Sequence, residues 1–286
     1  MRLAFIGLGV MGAPMAGHLA AAGHTVRVFN RSPEKARLWA GQHGGAAAAT
    51  PAEAAQGAEL VALCVGKDDD VRGLVPQILP ALAPGALIVD HTTTSAELAR
   101  DMAALAGASG HSFLDAPVSG GQAGAQAGRL TLMCGGDPAA FARAEPVLAS
   151  YGRAIRLMGS AGAGQLTKMV NQIAIAGVVQ GLAEAVHFTQ RAGLDPADVL
   201  AAISQGAAQS WQMDNRWATM AEGRFDFGFA VDWMRKDLGL VLDEAARNGA
   251  RLDLTRQVDA WYAEVQGLGG ARWDTSSLVT RLEPPR

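Results

Sequence analysis

Residues 3–12, LAFIGLGVMG, join a short apolar run to three glycines in the pattern G-x-G-x-x-G. The run predicts a strand and the residues after Gly12 predict a helix, so the glycines occupy the turn between them. Gly7 permits the tight turn, Gly9 lets the backbone approach a pyrophosphate, and Gly12 lets helix and strand pack closely. Glycines also end strands for purely structural reasons, but the flanking strand and helix favour a dinucleotide site. Its predicted residues are Gly7, Leu8, Gly9, Val10, Met11 and Gly12.

The first 160 residues alternate short apolar runs with helix-favouring segments. Four of these segments begin with predicted N-cap residues, and three of the four add proline, which is typical of a helix N-terminus. They start at Ser32-Pro33, Thr50-Pro51, Thr94-Ser95 and Asp137-Pro138. The strand, helix, strand repetition predicts an α/β fold with a largely parallel, doubly wound sheet. The predicted strands are Leu3–Ile6, Thr25–Phe29, Leu60–Val65, Ala86–Asp90, Phe113–Val118, Leu130–Cys134 and Ala154–Leu157.

Strand signals nearly disappear after Gly159. Long helix-favouring segments follow one another instead, and the glycine-rich stretch 159–164 is the expected junction. We therefore predict a doubly wound N-terminal domain over residues 1–160 and an all-helical C-terminal domain over residues 161–286. The predicted helices are Gln165–Arg191, the segment starting at Asp195, Trp211–Ala221, Phe229–Asn248 and Thr255–Gly267.

The composition is that of a globular protein, with 49% hydrophobic and 18% charged residues and a net charge of −3 over 286 residues. This balance argues against a disordered chain and against a nucleic-acid partner, since a polyanion needs a basic surface. Cys64 and Cys134 both lie in apolar runs, which excludes a disulfide framework and a cysteine-rich metal site. A reducing, cytoplasmic location is the default expectation.

The most apolar stretch, Ile173 to Val179, raises the question of a membrane span. It is short, and Lys168, Asn171 and Gln180 flank it closely. A helix buried between other helices explains such a stretch better than a bilayer span does. We predict no membrane partner.

The end of the second predicted strand decides which cofactor the chain prefers. NAD sites of this type usually carry Asp or Glu there to accept from the ribose 2′-hydroxyl. This chain has Asn30, followed by Arg31 and Ser32. Asn30 removes the repulsion that a carboxylate would exert on a 2′-phosphate, Arg31 offers a guanidinium and Ser32 a hydroxyl donor. We predict NADP as the preferred cofactor with NAD possible; the alternative is that Arg31 is a solvated surface charge and Ser32 only a helix cap.

Residues 115–121, DAPVSGG, end a strand in a loop of small residues. Such a loop presents backbone N–H groups and the Ser119 hydroxyl at the carboxyl edge of the sheet, where open α/β sheets bind ligands. It is suited to a carboxylate. An ordinary glycine turn is the alternative, which this stretch alone does not exclude.

The helix predicted from Gln165 carries Lys168, Asn171 and Gln172 on one face, because residues three and four apart are neighbours. A lysine and two amides in so apolar a helix are costly to bury without a partner or a task. Proton transfer at a carbonyl is one such task, since desolvation lowers a lysine pKa toward neutrality. Taken alone, the segment also fits a lysine that reaches from the first turn to water.

Together these motifs resemble the β-hydroxyacid dehydrogenases, the family of 3-hydroxyisobutyrate dehydrogenase, tartronate semialdehyde reductase and the glyoxylate/succinic semialdehyde reductases. The resemblance covers nearly the whole chain. It rests on four motifs in the same order and spacing: residues 7–16, residues 115–121, the Lys168 helix and the run Lys236-Asp237-Leu238.

The resemblance implies an N-terminal Rossmann domain, a helical C-terminal domain and a role for individual residues. Lys168 matches the lysine that gives a proton to the carbonyl oxygen in reduction and takes it back in oxidation, in a reaction that needs no metal. Asn171 or Gln172 matches the amide that orients the substrate, and a homodimer or homotetramer is expected through the apolar helix. Ser119, Gly120 and Gly121 match the loop that binds the substrate carboxylate, and Val65, Gly66, Thr93 and Lys236 match residues that line the cofactor.

The chain departs from the family pattern at two places. His91 precedes Thr92-Thr93 where the family often has Ser-Thr, and Gln172 stands where many members carry Asn. His91 is interpreted as a packed neutral residue rather than a second acid/base group. The longer Gln172 side chain implies a different substrate size.

The resulting hypothesis is an NADP-preferring enzyme that interconverts a small aldehyde or keto acid and its hydroxyacid, with a small carboxylate-bearing substrate. Two rivals remain open. An imine reductase has the same scaffold, but such relatives usually lack a lysine at position 168. A non-catalytic NADP-binding sensor keeps the fold without turnover.

Overall fold

The computed structural model describes residues 1–282, and the predicted helical domain extends beyond them by residues 283–286. Contacts within the chain divide it into two units, Met1–Lys168 and Met169–Arg286. The boundary between the units falls inside one long helix, slightly later in the chain than the predicted junction. Each unit has its own apolar core.

The first unit is built on one sheet. Along the sheet, β3, β2, β1, β4, β5 and β6 are neighbours in that order and parallel, and β6 then pairs with β8 in the antiparallel direction. The predicted doubly wound, largely parallel sheet is therefore confirmed. The strands are β1 (Arg2–Ile6), β2 (Thr25–Phe29), β3 (Ala46–Ala47), β4 (Leu60–Leu63), β5 (Leu87–Asp90), β6 (Ser112–Asp115), β7 (Val118–Ser119), β8 (Leu130–Gly136) and β9 (Gly152–Gly159).

Both faces of this sheet are buried. Alternate residues of β1 belong to two different apolar clusters, with Leu3 and Phe5 in one and Ala4 and Ile6 in the other. Successive side chains of a strand point to opposite faces, so helices must cover both. These helices are α1 (Gly12–Ala21), α2 (Pro33–His43), α3 (Pro51–Ala55), α4 (Asp68–Ile78), α5 (Ala96–Ala108), α6 (Gly121–Gln126) and α7 (Pro138–Leu148), with a 3-10 turn at Leu79–Ala81.

Three of the predicted N-caps are made by side chains. Thr50 accepts from the Glu53 N–H, Ser95 from the Leu98 N–H, and Asp137 from the first-turn N–H groups of α7. Ser32 precedes α2 in an extended conformation, yet its side chain makes no capping hydrogen bond within residues 1–282. Its hydroxyl is thus not explained as a helix cap.

The predicted strand Phe113–Val118 is in fact two segments, β6 and β7. Both pair with β8 in one unshifted antiparallel register, in which Leu114 faces Gly136 and Val118 faces Leu132. The break falls at Pro117, which has no N–H to donate. The short strand carrying Ser119 therefore continues the same strand pair beyond the end of β6.

The second unit is helical, as predicted. Trp217 and Tyr262 are among its fully buried side chains and pack with Val231 and Leu278 in a third apolar cluster. Helix α10 has the predicted bounds, and the other helices start at or within two residues of the prediction. The helices are α8 (Ala163–Arg191), which begins in the first unit, α9 (Pro196–Ile203), α10 (Trp211–Ala221), α11 (Val231–Asn248) and α12 (Asp253–Gly267), followed by a 3-10 helix over Thr275–Leu282.

Helix α8 is, among residues 1–282, the one helix long and apolar enough to cross a membrane by length and composition alone. A core helix of a globular protein meets the same criterion, and 44% of its most apolar window is buried. The apolarity of α8 by itself is thus weak evidence for a span, and the absence of a membrane partner stays a prediction.

Candidate active site

The glycine turn after β1 combines close packing with an open cradle. A Cβ atom at Gly7 would overlap the Cys64 carbonyl oxygen, and one at Gly12 would overlap the Gly7 carbonyl oxygen. Gly9 differs, because a Cβ atom there would meet no heavy atom of residues 1–282 within 4 Å. Val10 beside it is 61% exposed. The turn therefore leaves room at the N-terminus of α1, where free N–H groups and the helix dipole suit a pyrophosphate.

Asn30, at the end of β2, holds this turn. Its Oδ1 accepts from the Leu8 N–H at 2.9 Å, and its Nδ2 donates to the Ser32 carbonyl oxygen at 3.2 Å. One neutral side chain thus links the glycine turn to the start of α2. Sequence reasoning predicted Asn30 at the cofactor, but not its hydrogen bond to Leu8.

Arg31 follows with an 89% exposed side chain, and its Nη1 lies 3.6 Å from the Asp70 carboxylate. Asp70 in turn accepts from the N–H groups of Gly66 and Lys67 at 3.2 Å each. This carboxylate joins the end of β2 to the predicted cofactor-lining loop after β4. Asp70 was missed by the sequence analysis, since the run of three aspartates reads as an ordinary acidic first turn of α4.

The loops after β4 and β5 are tied together by Thr92. Its Oγ1 accepts from the Val65 N–H at 3.0 Å, and its own N–H donates to Asp90 Oδ1 at 2.9 Å. Asp90 is fully buried, and burial raises the pKa of its carboxyl from 3.8 to about 7. Thr93, half-buried between Thr92 and Thr94, sits in the loop that this arrangement fixes.

His91 lies in a closed pocket. Its ring nitrogens contact the Ala116 carbonyl oxygen at 2.7 Å and the Tyr151 hydroxyl at 2.8 Å. A carbonyl oxygen only accepts, so Nδ1 carries the proton and Nε2 accepts from Tyr151. Burial lowers the pKa of His91 to about 4. The arrangement supports the interpretation of His91 as a packed neutral residue.

The predicted carboxylate loop runs from Ser119, the last residue of β7, to Gly121, the first residue of α6. Ser119 is half-buried, and Gly120 and Gly121 have φ values of 128° and 61°. These values lie in the region that favours glycine, so the backbone path of this loop depends on both glycines. The loop leads into α6.

Lys168 is 7% exposed and sits in the second turn of α8. Asp115 at the end of β6 accepts from the N–H groups of Gly162 at 2.7 Å and Gln165 at 2.9 Å, and so caps α8 from another element. Burial raises the pKa of Asp115, although these N–H donors oppose the shift. The helix start that carries Lys168 is thus fixed directly to the carboxyl edge of the sheet.

In the second unit, Asp237 brings three predicted site residues together. Its Oδ2 accepts from Gln172 Nε2 at 2.7 Å, and its Oδ1 lies 2.9 Å from Lys236 Nζ. Gln172 Oε1 accepts from Asn171 Nδ2 at 2.8 Å. Asp237 is 2% exposed. It was missed as a site residue because an Asp next to a Lys reads as a surface pair, and no sequence signal reports its burial.

Within each unit the predicted residues gather in groups. The first unit brings Leu8 together with Asn30, and Arg31 together with the loop at Gly66 through Asp70. The second unit brings Asn171, Gln172 and Lys236 together around Asp237. Among residues 1–282 no group of three or more His, Cys, Asp or Glu side chains is placed to hold a metal ion; that the chemistry needs no metal stays a prediction.

Two family models match the chain. Residues 2–159 match the NAD binding domain of 6-phosphogluconate dehydrogenase, and residues 162–282 match the NAD-binding domain of NADP-dependent 3-hydroxyisobutyrate dehydrogenase. Together they account for nearly all of the chain.

Individual proteins agree with these matches. An uncharacterized oxidoreductase of Shewanella frigidimarina is 58% identical over 100% of this chain and 99% of its own length. The 3-hydroxyisobutyrate dehydrogenase of Pseudomonas aeruginosa is 39% identical over 85% of both chains. The Mycobacterium tuberculosis 3-hydroxyisobutyrate dehydrogenase, solved with L-serine, has a TM-score of 0.89 and 35% identity, covering 99% of this chain and 100% of its own.

The open glycine cradle fits a nicotinamide dinucleotide, and the family matches agree with it. The chain belongs to the β-hydroxyacid dehydrogenase family and is an NAD(P)-dependent oxidoreductase of the 3-hydroxyisobutyrate dehydrogenase type.

Proposed function

We propose that this enzyme prefers NADP(H) and interconverts a small aldehyde or keto acid and the matching hydroxyacid, with Lys168 as the proton-transfer group. The observation that carries the proposal is the burial of Lys168 in the second turn of α8, whose start is fixed to the carboxyl edge of the sheet by Asp115. Ligands of open α/β sheets bind at this edge. A buried lysine at this edge is placed to act on a bound ligand, whereas a surface lysine is not.

Lys168 Nζ gives a proton to the substrate carbonyl oxygen in reduction and takes it back in oxidation. The bound nicotinamide supplies or accepts the hydride. A positioned proton donor of this kind contributes about 10²- to 10⁴-fold to the rate.

The substrate carboxylate binds at the loop of Ser119, Gly120 and Gly121, where a hydroxyl and backbone N–H groups are available. The Mycobacterium tuberculosis relative solved with L-serine supports a substrate that carries a hydroxyl and a carboxylate on a short carbon skeleton. Asn171 or Gln172 orients the substrate. Asn171 is the more accessible of the two amides, since it is half-buried and Gln172 is 2% exposed.

NADP preference rests on Asn30, Arg31 and Ser32. Asn30 puts no charge beside a 2′-phosphate, the exposed Arg31 side chain can turn toward it, and the Ser32 hydroxyl is not used as a cap within residues 1–282. The description of the second family model as NADP-dependent agrees. Asp70, 3.6 Å from Arg31, opposes this preference by competing for the guanidinium.

The cofactor proposal is tested by Arg31→Ala and Asp70→Asn. Arg31→Ala should raise the KM for NADPH at least about tenfold and leave the KM for NADH nearly unchanged, because a charge-assisted pair to the phosphate is lost. Asp70→Asn should lower the KM for NADPH. Equal effects of Arg31→Ala on both cofactors would contradict the proposal.

The catalytic proposal is tested by Lys168→Ala, assayed by NADPH oxidation with glyoxylate, succinic semialdehyde and tartronate semialdehyde, and by NADP reduction with 3-hydroxyisobutyrate. We expect kcat to fall by about 10²- to 10⁴-fold, while the Kd for NADPH changes little. Thr167→Ala on the same helix turn, which removes only a hydrogen bond to Ala163, is the matched control. Unchanged turnover in Lys168→Ala would refute the role of Lys168.

The same assay separates the rival functions. Turnover of cyclic imines without turnover of carbonyl acids would favour an imine reductase. Tight NADPH binding with no turnover of any substrate in the panel would favour a sensor.

We also propose that a second copy of this chain covers the outer face of α8. Val170 is 65% exposed and Phe188 is 71% exposed, and both lie on one helix face with the small residues Ala174 and Gly181 between them. Glu184 is the exposed charged residue on this face, one turn before Phe188, and the exposed apolar residues around it are typical of an interface. Phe188→Asp should convert the wild-type dimer or tetramer to monomer in light scattering; a monomeric wild type would overturn the proposal.

The two cysteines fit the proposed cytoplasmic location. Within residues 1–282 Cys64 and Cys134 form no disulfide, and burial raises the pKa of Cys134 to about 12, so it stays protonated. Fractionation of the native host cells tests this: enzyme activity in the membrane or secreted fraction would contradict it.

A further inference from the structure

The fully buried side chain of Gln165 ties helix α8 to the loop after β5. Its Oε1 accepts from the Thr94 N–H at 3.0 Å, and its Nε2 donates to the Thr92 carbonyl oxygen at 2.7 Å. The amide therefore holds this loop from both sides of Thr93. One donor and one acceptor are needed, and a neutral amide supplies both.

The loop after β5, which Gln165 holds, is bonded in turn to the loop after β4. Thr92 Oγ1 accepts from the Val65 N–H, so the contact continues into the loop after β4. A displacement of Gln165 would thus reach two loops that are predicted to line the cofactor.

Gln165 is also close to Lys168. Gln165 lies three residues before Lys168 in the same helix, and its own N–H is bound by Asp115. The helix start has little freedom to shift, because a Cβ atom at Gly164 would overlap the Met133 carbonyl oxygen of β8. The helix start and the Thr92–Thr94 loop therefore form one rigid arrangement.

We propose that Gln165 is a positioning residue, whose amide keeps Lys168 in a fixed place relative to the loop that carries Thr93. The inference rests on the proposed role of Lys168. Gln165 itself touches neither substrate nor cofactor in this proposal. Its loss should lower kcat more than it raises KM, because proton transfer depends on placement at the ångström scale.

The test uses Gln165→Met and Gln165→Glu in the full-length enzyme, with NADPH and the best aldehyde of the panel. Gln165→Met keeps the side-chain length and removes both hydrogen bonds. It should lower kcat by about 10- to 100-fold, with KM and the Kd for NADPH changed less than about threefold. Thr167→Ala again serves as the control for a nonspecific change in this helix.

Gln165→Glu adds a readout that a purely structural role would not give. The neutral carboxyl group can donate to Thr92 and accept from Thr94 as the amide does, whereas the carboxylate opposes the Thr92 carbonyl oxygen. The kcat of Gln165→Glu relative to wild type should therefore recover at acidic pH. The kcat of Gln165→Met relative to wild type should stay flat over the same range.

Other titratable groups face this position, and the comparison accounts for them. Asp115 contacts the Gln165 N–H, Asp90 and His91 end the neighbouring strand, and Lys168 lies one turn on. All four are present in wild type and in both variants. Each ratio to wild type therefore removes their shared titration.

The double variant Gln165→Met/Lys168→Ala distinguishes failure of this inference from failure of the proposed function. If Gln165 acts through Lys168, Gln165→Met should lower kcat little in the Lys168→Ala background. An active Lys168→Ala enzyme would overturn the function, and the inference with it. A nearly inactive Lys168→Ala enzyme together with folded Gln165 variants of wild-type kcat at every pH would overturn the inference alone. Should Gln165→Met fail to fold, recovery of Gln165→Glu at acidic pH supports the inference and a flat ratio overturns it.

Discussion

The two units hold their predicted functional residues in different ways. In the first unit three positioning side chains are bonded to backbone: Asn30 to Leu8, Gln165 to Thr92 and Thr94, and Asp115 to Gly162. In the second unit side chains bind side chains, since Asn171, Gln172 and Lys236 meet around Asp237. The first arrangement depends on the path of the chain and the second on the identity of one carboxylate.

The most severe way to break the first arrangement is Gly164→Ala. The added methyl group would overlap the Met133 carbonyl oxygen and lie 2.8 Å from Asp115 Oδ2, so the start of α8 must move. We expect kcat to fall at least about 100-fold and the free energy of unfolding to fall by about 1–3 kcal/mol. Steady-state kinetics and urea unfolding measure both.

Gly107→Ala is the control for this change. It lies in α5, where an added Cβ atom would meet no heavy atom of residues 1–282 within 4 Å. An exposed helical glycine replaced by alanine should gain about 0.5–1 kcal/mol of stability. If Gly164→Ala behaved like Gly107→Ala, the close approach of α8 to the sheet would not matter for catalysis.

The second arrangement is broken by Asp237→Asn. The variant keeps the shape of the side chain but removes the charge that Lys236 and Gln172 share, and a buried pair that loses one charge is costly. We expect kcat/KM to fall about 10- to 100-fold and the free energy of unfolding to fall by about 1–3 kcal/mol. Asp243→Asn, an exposed carboxylate of the same helix, is the matched control. Wild-type kcat/KM in Asp237→Asn would show that geometry alone suffices in the second unit.

The pH dependence of stability sharpens the comparison further, with an effect that is small at each pH step. Burial raises the pKa of Asp90 from 3.8 in the unfolded chain to about 7 in the fold. The native state therefore keeps a proton that the unfolded chain loses between these pH values, and raising pH favours unfolding. Relative to Asp90→Asn, wild type should lose about 1 kcal/mol of stability per pH unit in this window and no more above pH 7. Chemical unfolding at several pH values measures the difference, and a difference that does not change with pH would contradict the neutral state of Asp90.

Much of the fold could be predicted from local patterns. The apolar runs located seven strand regions, and α10 has its predicted bounds, with Ser210 as the N-cap in the structure. The strand β3 was missed, because two alanines become a strand only through pairing with β2. The break at Pro117 was missed for a related reason: the apolar pattern continues through it, and only the missing N–H interrupts the pairing.

Site residues could be predicted where a local motif sets the backbone conformation. They could not be predicted where a side chain depends on a partner distant in sequence. Gly7, Gly12, Gly120 and Gly121 are explained by backbone conformation or close packing. Asp237 and Gln165 are not, because Asp237 binds Gln172 across 65 residues of chain and the Gln165 side chain binds Thr94 across 71. Their burial follows from tertiary packing, which no local pattern reports.

The open space at Gly9 distinguishes a glycine needed for ligand binding from glycines needed for folding. Gly7 and Gly12 have no room for a side chain in the fold itself, whereas Gly9 has. In a library of variants sorted by protein abundance, small side chains at position 9 should be retained and those at positions 7 and 12 lost. Sorting the same library by growth that needs the enzyme should remove the substitutions at all three positions. A position that tolerates substitution for abundance but not for activity would be identified as a ligand contact without a structure of the complex.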